Sequence, residues 1–136
     1  MIKQKSAGGV VVESNKVLII HWKSQNTFEL PKGAIEKGEN ERDAAVREVY
    51  EETGYKVRIV KRLGKVAFNF IWKDGKTYKK EVAYFLMELA QKRQFNKNLL
   101  RHEDFENIWL PIDEAVKKAS FEDIKEILKK AKRAIR

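Results

Sequence analysis

Residues 41 to 53 run without Gly or Pro between Asn40 and Gly54, and this span constrains the fold more than any other part of the chain. Asn40 has an N-cap side chain, Asp43 stands three residues on in the capping-box position, and Gly54 is a usual stop, so the spacing predicts a helix over 41–53. On both sides the pattern is that of strands. Residues 7–12 (Ala-Gly-Gly-Val-Val-Val) and 17–22 (Val-Leu-Ile-Ile-His-Trp) flank the polar turn Glu13-Ser14-Asn15-Lys16 and predict a hairpin. Residues 23–33 read as loop. Tyr55 to Val60 predicts a strand, and 66–72 and 76–89 predict a second hairpin closed at Asp74-Gly75. Residues 91–107 read as irregular, 108–110 as a short strand, and Pro111 as the start of a brief helix through Lys117. Ser120 is then the expected cap of a final helix, with Asp123 at its third position and Phe121, Ile124, Leu128, Ala131 and Ile135 along one stripe. A helix enclosed by strands excludes all-α and all-β architectures. The expectation is an α+β or α/β layered fold with a mixed sheet, residues 1–136 forming one domain without repeat or linker.

Composition narrows the chemistry. The chain has 136 residues, 43% of them hydrophobic, enough for a core that needs neither disulfide nor metal staple. It has no cysteine, which removes disulfide scaffolds, thiolate zinc sites and cysteine nucleophiles and suggests a cytoplasmic setting. No apolar run approaches the roughly 20 residues of a membrane span, and no leader peptide is expected. Lys and Arg number 29 against 20 Asp and Glu, a net charge of +9 that favours anionic partners without choosing among them.

Within the central helix Glu48, Glu51 and Glu52 stand at i, i+3 and i+4, on one face. A lone Glu-x-x-Glu-Glu is ordinarily a solvated surface. Here it follows Pro31-Lys32-Gly33 and Gly38, loop residues whose backbone can approach an ion or a phosphate closely. Clustered carboxylates repel one another unless a cation sits among them, and Mg²⁺ or Mn²⁺ prefers such oxygen ligands. Arg47 lies beside the cluster, and Glu39 is placed to pair with it and pin the loop to the helix.

From Gly33 to Tyr55 the chain reads Gly33, five residues, Glu39, seven residues, Arg47-Glu48-Val49-Tyr50-Glu51-Glu52-Thr53-Gly54-Tyr55. This resembles the Nudix box of the Nudix hydrolases. Every fixed residue of the box is met, including Gly33, Glu39, Arg47 and Gly54, and Tyr55 stands where an aliphatic residue is usual. The resemblance implies the Nudix α/β/α sandwich with a central mixed β-sheet. It also implies hydrolysis of a nucleoside diphosphate linked to another moiety, with Mg²⁺ or Mn²⁺ neutralising phosphoryl charge and lowering the pKa of bound water. By similarity Glu52 is the expected direct metal ligand, Glu48 and Glu51 are further ligands or holders of metal-bound water, and the Lys32 backbone carbonyl is another ligand. The general base is either Glu48 or a loop glutamate outside the box, for which Glu103 in Arg101-His102-Glu103 is the candidate; the plainer reading of Glu103 is an ordinary loop carboxylate. His21 and His102 read as packing or surface residues.

Looser features resemble the asymmetric diadenosine tetraphosphate hydrolases (bis(5'-nucleosyl)-tetraphosphatases). These are Pro31-Lys32-Gly33, the Lys-then-aromatic strand Lys80-Glu81-Val82-Ala83-Tyr84-Phe85-Leu86, and His102-Glu103 followed by Trp109, Glu114-Ala115 and Phe121. In that reading Lys32 and Lys80 hold non-reacting phosphates and Tyr84 and Phe121 offer flat faces to adenine, giving ATP and AMP as products. Phe68, Phe70 and Trp72 share one strand face. Other substrates of the same fold are an oxidised nucleoside triphosphate, ADP-ribose, a diphosphoinositol phosphate or an RNA 5' triphosphate, the last being the one role left to nucleic acid. A non-catalytic nucleotide sensor is the reading from another class, and the complete box argues against it. The partner expected is a small nucleoside polyphosphate, with no membrane, and the chain a monomer or homodimer. The basic residues of the last helix read as its solvated face.

Overall fold

The computed structural model describes residues 1–95 and 104–135. Seven strands and three helices follow in the order β1 (Ile2–Glu13), β2 (Lys16–Trp22), β3 (Thr27–Glu29), β4 (Lys32–Ala34), α1 (Glu41–Thr53), β5 (Tyr55–Ile71), β6 (Thr77–Gln94), β7 (Phe105–Pro111), α2 (Ile112–Lys118) and α3 (Glu122–Ala134).

The predicted hairpins form. Ser14 and Asn15 take positive φ in the turn between β1 and β2, and Val12 pairs with Val17 beyond it. At the second turn the Gly75 amide donates to the Trp72 carbonyl and the Trp72 amide to the Lys76 carbonyl. The predicted caps of α1 are also in place. The Asp43 amide donates to Asn40 Oδ1 at 2.8 Å, and Gly54, at φ 75°, ends the helix in the left-handed conformation glycine tolerates best.

The β1–β6 ladder is parallel and every other one antiparallel, so the sheet is mixed, with the order β3-β2-β1-β6-β5, β4 on β1 and β7 on β2. Side-chain alternation along β6 divides the interior in two. Val82, Tyr84 and Leu86 face a core completed by Ile112 and Ala115 of α2 and by Ile124, Ile127, Leu128 and Ala131 of α3. Ala83, Phe85 and Met87 face the opposite core, completed by Ala44, Ala45 and Val49 of α1. Helices therefore cover both faces of an α+β sandwich around a mixed sheet, as expected.

Five expectations are corrected. Residues 23–33 are not all loop, since β3 and β4 begin there. The strand from Tyr55 runs without a break to Ile71, and register shifts at Ile59/Lys61 and Arg62/Gly64 explain why the period of two is lost in mid-strand. The stretch 91–107 is strand at both described ends, as β6 reaches Gln94 and β7 starts at Phe105. Ser120 does not cap α3; the N-cap is Phe121, without a side-chain bond, and Ser120 Oγ accepts from the Phe28 amide instead. That bond ties β3 to the start of α3. Phe121 leaves the predicted stripe for solvent at 51% exposure, while Ile124, Leu128 and Ala131 are buried. No helix among the described residues is long and apolar enough to cross a membrane.

Candidate functional site

Arg47, midway along α1, organises the carboxylates around it. Its Nε and Nη2 form a two-pronged pair with Glu39 at 2.8 and 2.9 Å, and Nη2 also donates to the Ala34 carbonyl at 2.9 Å. The loop before α1 is thus fastened to the helix, as the sequence suggested. Hydrogen bonds from Arg47, then from the Glu36 amide, hold the Glu39 carboxyl down at about 2. The remaining nitrogen, Nη1, binds Glu48 at 2.8 Å and Glu51 at 3.0 Å. Gly33 packs directly against this group, and a Cβ there would overlap the Glu48 carboxylate and push it aside.

Glu52 has different surroundings. Its Oε1 accepts from the Lys32 amide at 2.7 Å. Burial pushes its carboxyl up to about 7, against the pull of the Lys32 amide and the Lys32 charge. Lys80 is lowered from its ordinary value by burial and then by the neighbouring Lys32 ammonium, with Glu29 and Glu52 opposing. Two lysines and two carboxylates thus share a partly buried space.

Two cavities meet there. A polar one of about 350 Å³ is lined by Ile20, Trp22, Glu29, Lys32, Glu52 and Asp104, among others. An apolar one of about 460 Å³ is lined by Val66, Phe68, Val82, Tyr84, Phe121 and Ile124, again with Glu29 and Lys32 at its edge. Tyr84 is 1% exposed, and burial, with Glu29 and Glu52 nearby, raises its hydroxyl. The structure therefore brings Lys32, Lys80, Glu52, Tyr84 and Phe121 to one connected cleft. Glu48 and Glu51 stand beside it, turned to Arg47. Among the described residues no three acidic or imidazole groups converge as an ion-binding set. The donors nonetheless suit a hard divalent ion, since all are oxygens and Gly33 leaves room for the Glu48 carboxylate. Glu103 and His102 lie outside the described residues. His21 is a packing residue, stacked on Phe28 at 4.4 Å and bonded to Glu106 and Asn26 at 2.9 Å each.

Sequence reasoning missed Glu29, Trp22 and Asp104. Glu29 sits on a three-residue strand too short to show a period. It reaches the cleft because β3 pairs Glu29 with Ile20 of β2.

The chain is similar in sequence and fold to known proteins. The chain is 30% identical over 132 residues, 90% of its length, to a Mycobacterium tuberculosis protein described as mutator MutT4, and covers 52% of that protein. It is 31% identical over 115 residues, 85% of its length, to the 8-oxo-(d)GTP phosphatase of Mycolicibacterium smegmatis, covering 33% of it. It thus spans a third to about half of these curated relatives. Among solved structures, a C. elegans Ap4A hydrolase in a binary complex superposes with a TM-score of 0.74, at 25% identity, over 97% of both chains. The NUDIX domain profile matches residues 3–131, which take in the Arg47-centred carboxylates and both cavities. On fold, motif and profile together, the chain belongs to the NUDIX domain family.

Proposed function

We propose that the chain, acting as one domain in the cytoplasm, is a metal-dependent hydrolase of nucleoside polyphosphates. The observation that carries this reading is the junction at Lys32: a carboxylate-lined polar cleft opens into an apolar cavity of nucleobase size. A phosphate chain needs cations and oxygen-bound metal; a base needs an apolar slot. In this reading the apolar cavity takes a base between Phe121 and the edge of Tyr84. Lys32 and Lys80 hold phosphates, and their mutual repulsion is relieved when an anion lies between them.

Glu52, Glu48, Glu51 and the Lys32 carbonyl are the proposed holders of Mg²⁺ or Mn²⁺, which when bound neutralises phosphoryl charge and acidifies bound water. To serve, Glu52 gives up its proton, and Glu48 and Glu51 turn from Arg47, which keeps its two-pronged hold on Glu39. Glu48 or Glu103 accepts the proton of the attacking water.

The substrate we favour is diadenosine tetraphosphate, split to ATP and AMP. It is supported by the superposition on the Ap4A hydrolase and by the paired Lys32 and Lys80, which suit a long phosphate chain. A second reading, an oxidised guanosine triphosphate, is favoured by likeness to the 8-oxo-(d)GTP phosphatase. Initial rates with diadenosine tetraphosphate, 8-oxo-dGTP, ADP-ribose and a 5'-triphosphorylated RNA, with Mg²⁺ and then with EDTA, separate these readings. Faster turnover of 8-oxo-dGTP would move the assignment to the second. Tight nucleotide binding without turnover of any member would make the chain a sensor.

A further inference from the structure

The sheet continues past the helices that cover it. Leu63 and Val66 of β5 pack against the α2/α3 core, but Phe68 and Phe70 follow on the same strand face beyond that core, with Trp72 just past the strand's end. In the β5–β6 ladder Phe68 stands opposite Lys80 and Phe70 opposite Tyr78, so these side chains share a face. Phe70 and Tyr78 are stacked, with centroids 5.4 Å apart and planes 16° from parallel. Phe68 and Trp72 flank Phe70 at 6.1 and 6.4 Å. The flanking rings are open to solvent, Phe68 at 44% and Trp72 at 54% exposure. A stacked inner pair thus braces two outer rings, one at the mouth of the apolar cavity and one near the hairpin tip.

Exposed aromatic rows on a projecting hairpin are costly in water, and their surroundings indicate what covers them. Residues 61–80 carry seven basic side chains and a single acidic one, Asp74; Arg62, Lys65 and Lys79 are paired with Glu41 and Glu81, whereas Lys73 and Lys76 stand at the hairpin tip, where Asp74 is held within the turn by the Lys76 amide and the Tyr78 hydroxyl. The Lys73 ammonium lies 5.7 Å from the Trp72 ring. A second copy of this chain would bring the same positive charge to the same surface. A polyanion carrying flat bases satisfies rings and lysines together.

We propose that the hairpin joining β5 and β6 is a stacking platform for single-stranded nucleic acid, in which Phe68 and Trp72 each take a base and Lys73 and Lys76 take its phosphates. Phe68 makes the platform continuous with the cavity of the proposed function, but the platform needs none of the α1 carboxylates.

The probe is a fluorescein-labelled oligouridylate with a 5'-hydroxyl, which offers no anhydride to hydrolyse. Its fluorescence anisotropy should rise on titration with the full chain. Trp72→Ala should weaken binding at least about five-fold, as expected for loss of one base–aromatic stack, while Trp72→Phe retains most of it. Both variants should keep the wild-type thermal midpoint, because Trp72 lies outside the core. Replacing Lys73 and Lys76 by Ala should flatten the dependence of affinity on salt. Absence of binding by the wild type, or equal binding by Trp72→Ala, overturns the platform. So does a dimer in sedimentation that depends on Trp72 and binds no oligonucleotide, which would give the face to a second copy. If no nucleoside polyphosphate is hydrolysed while Trp72-dependent binding persists, the proposed hydrolase fails and the platform stands. Hydrolysis with no Trp72-dependent binding is the reverse result.

Discussion

The two cavities that meet at Lys32 are built from opposite materials. The polar one gathers Glu29, Lys32, Glu52 and Asp104, and burial there raises the Glu52 carboxyl. The apolar one is walled mainly by Val66, Phe68, Val82, Tyr84, Phe121 and Ile124. A ring placed in the second gains burial without titrating anything, whereas an ion or phosphate placed in the first changes the protonation of what it touches. The division assigns chemistry to one side and recognition to the other, and it is open to being broken by mutation.

The largest effect is expected on the apolar side, in stability. Tyr84 is a fully buried wall shared by core and cavity, so Tyr84→Ala should cost about 3–5 kcal/mol in urea unfolding, the range for removing a buried aromatic ring. On the polar side Gly33→Ala drives a Cβ into the Glu48 carboxylate. Misplacing a reacting group by about 1 Å costs on the order of a hundred-fold, and a fall of that size in kcat with unchanged unfolding is the expected result.

Glu52→Gln should sharpen the contrast by stabilising the chain in EDTA. Burial raises the Glu52 carboxyl from 4.5 to about 7. The folded, metal-free chain therefore holds that proton more tightly than the unfolded one. The benefit is complete below 4.5 and is lost as pH climbs through 7. At pH 8 the neutral glutamine should be more stable than wild type by about 3 kcal/mol, with the difference vanishing near pH 4. Phe121→Ala has the smallest expected effect. The ring is half exposed, so its loss should leave unfolding nearly unchanged and raise KM about five-fold, the low end of base stacking, with kcat retained.

The parts legible from sequence are those with local causes. Asn40, Asp43 and Gly54 marked both ends of α1 because caps act within a few residues, and the pairing of Glu39 with Arg47 followed from a motif whose members lie within two turns of that helix or just before it. Where the determinant is distant in sequence, the reading failed. The Ser120 hydroxyl is taken by the Phe28 amide, 92 residues away, so a good capping sequence was used for a tertiary bond instead. The strands β3 and β4 are three residues each, too short for a period, and owe their form to the edges of β2 and β1. The bulges in β5 hid its length for the opposite reason, breaking a period that was there. The meeting of Lys32 with Lys80, from β4 and β6, was inferred only through resemblance. Its consequence, two cations in a half-buried cleft, became visible when β1 was seen to pair with both strands.

The division of labour is tested most directly by steady-state kinetics of Glu52→Gln with diadenosine tetraphosphate and 8-oxo-dGTP in Mg²⁺. Because the apolar wall is untouched, KM should stay within about three-fold of wild type, while kcat falls by at least about a hundred-fold, in line with loss of a group that stabilises transition-state charge. A variant that keeps wild-type kcat and loses only KM would place Glu52 among the binding residues and contradict the account.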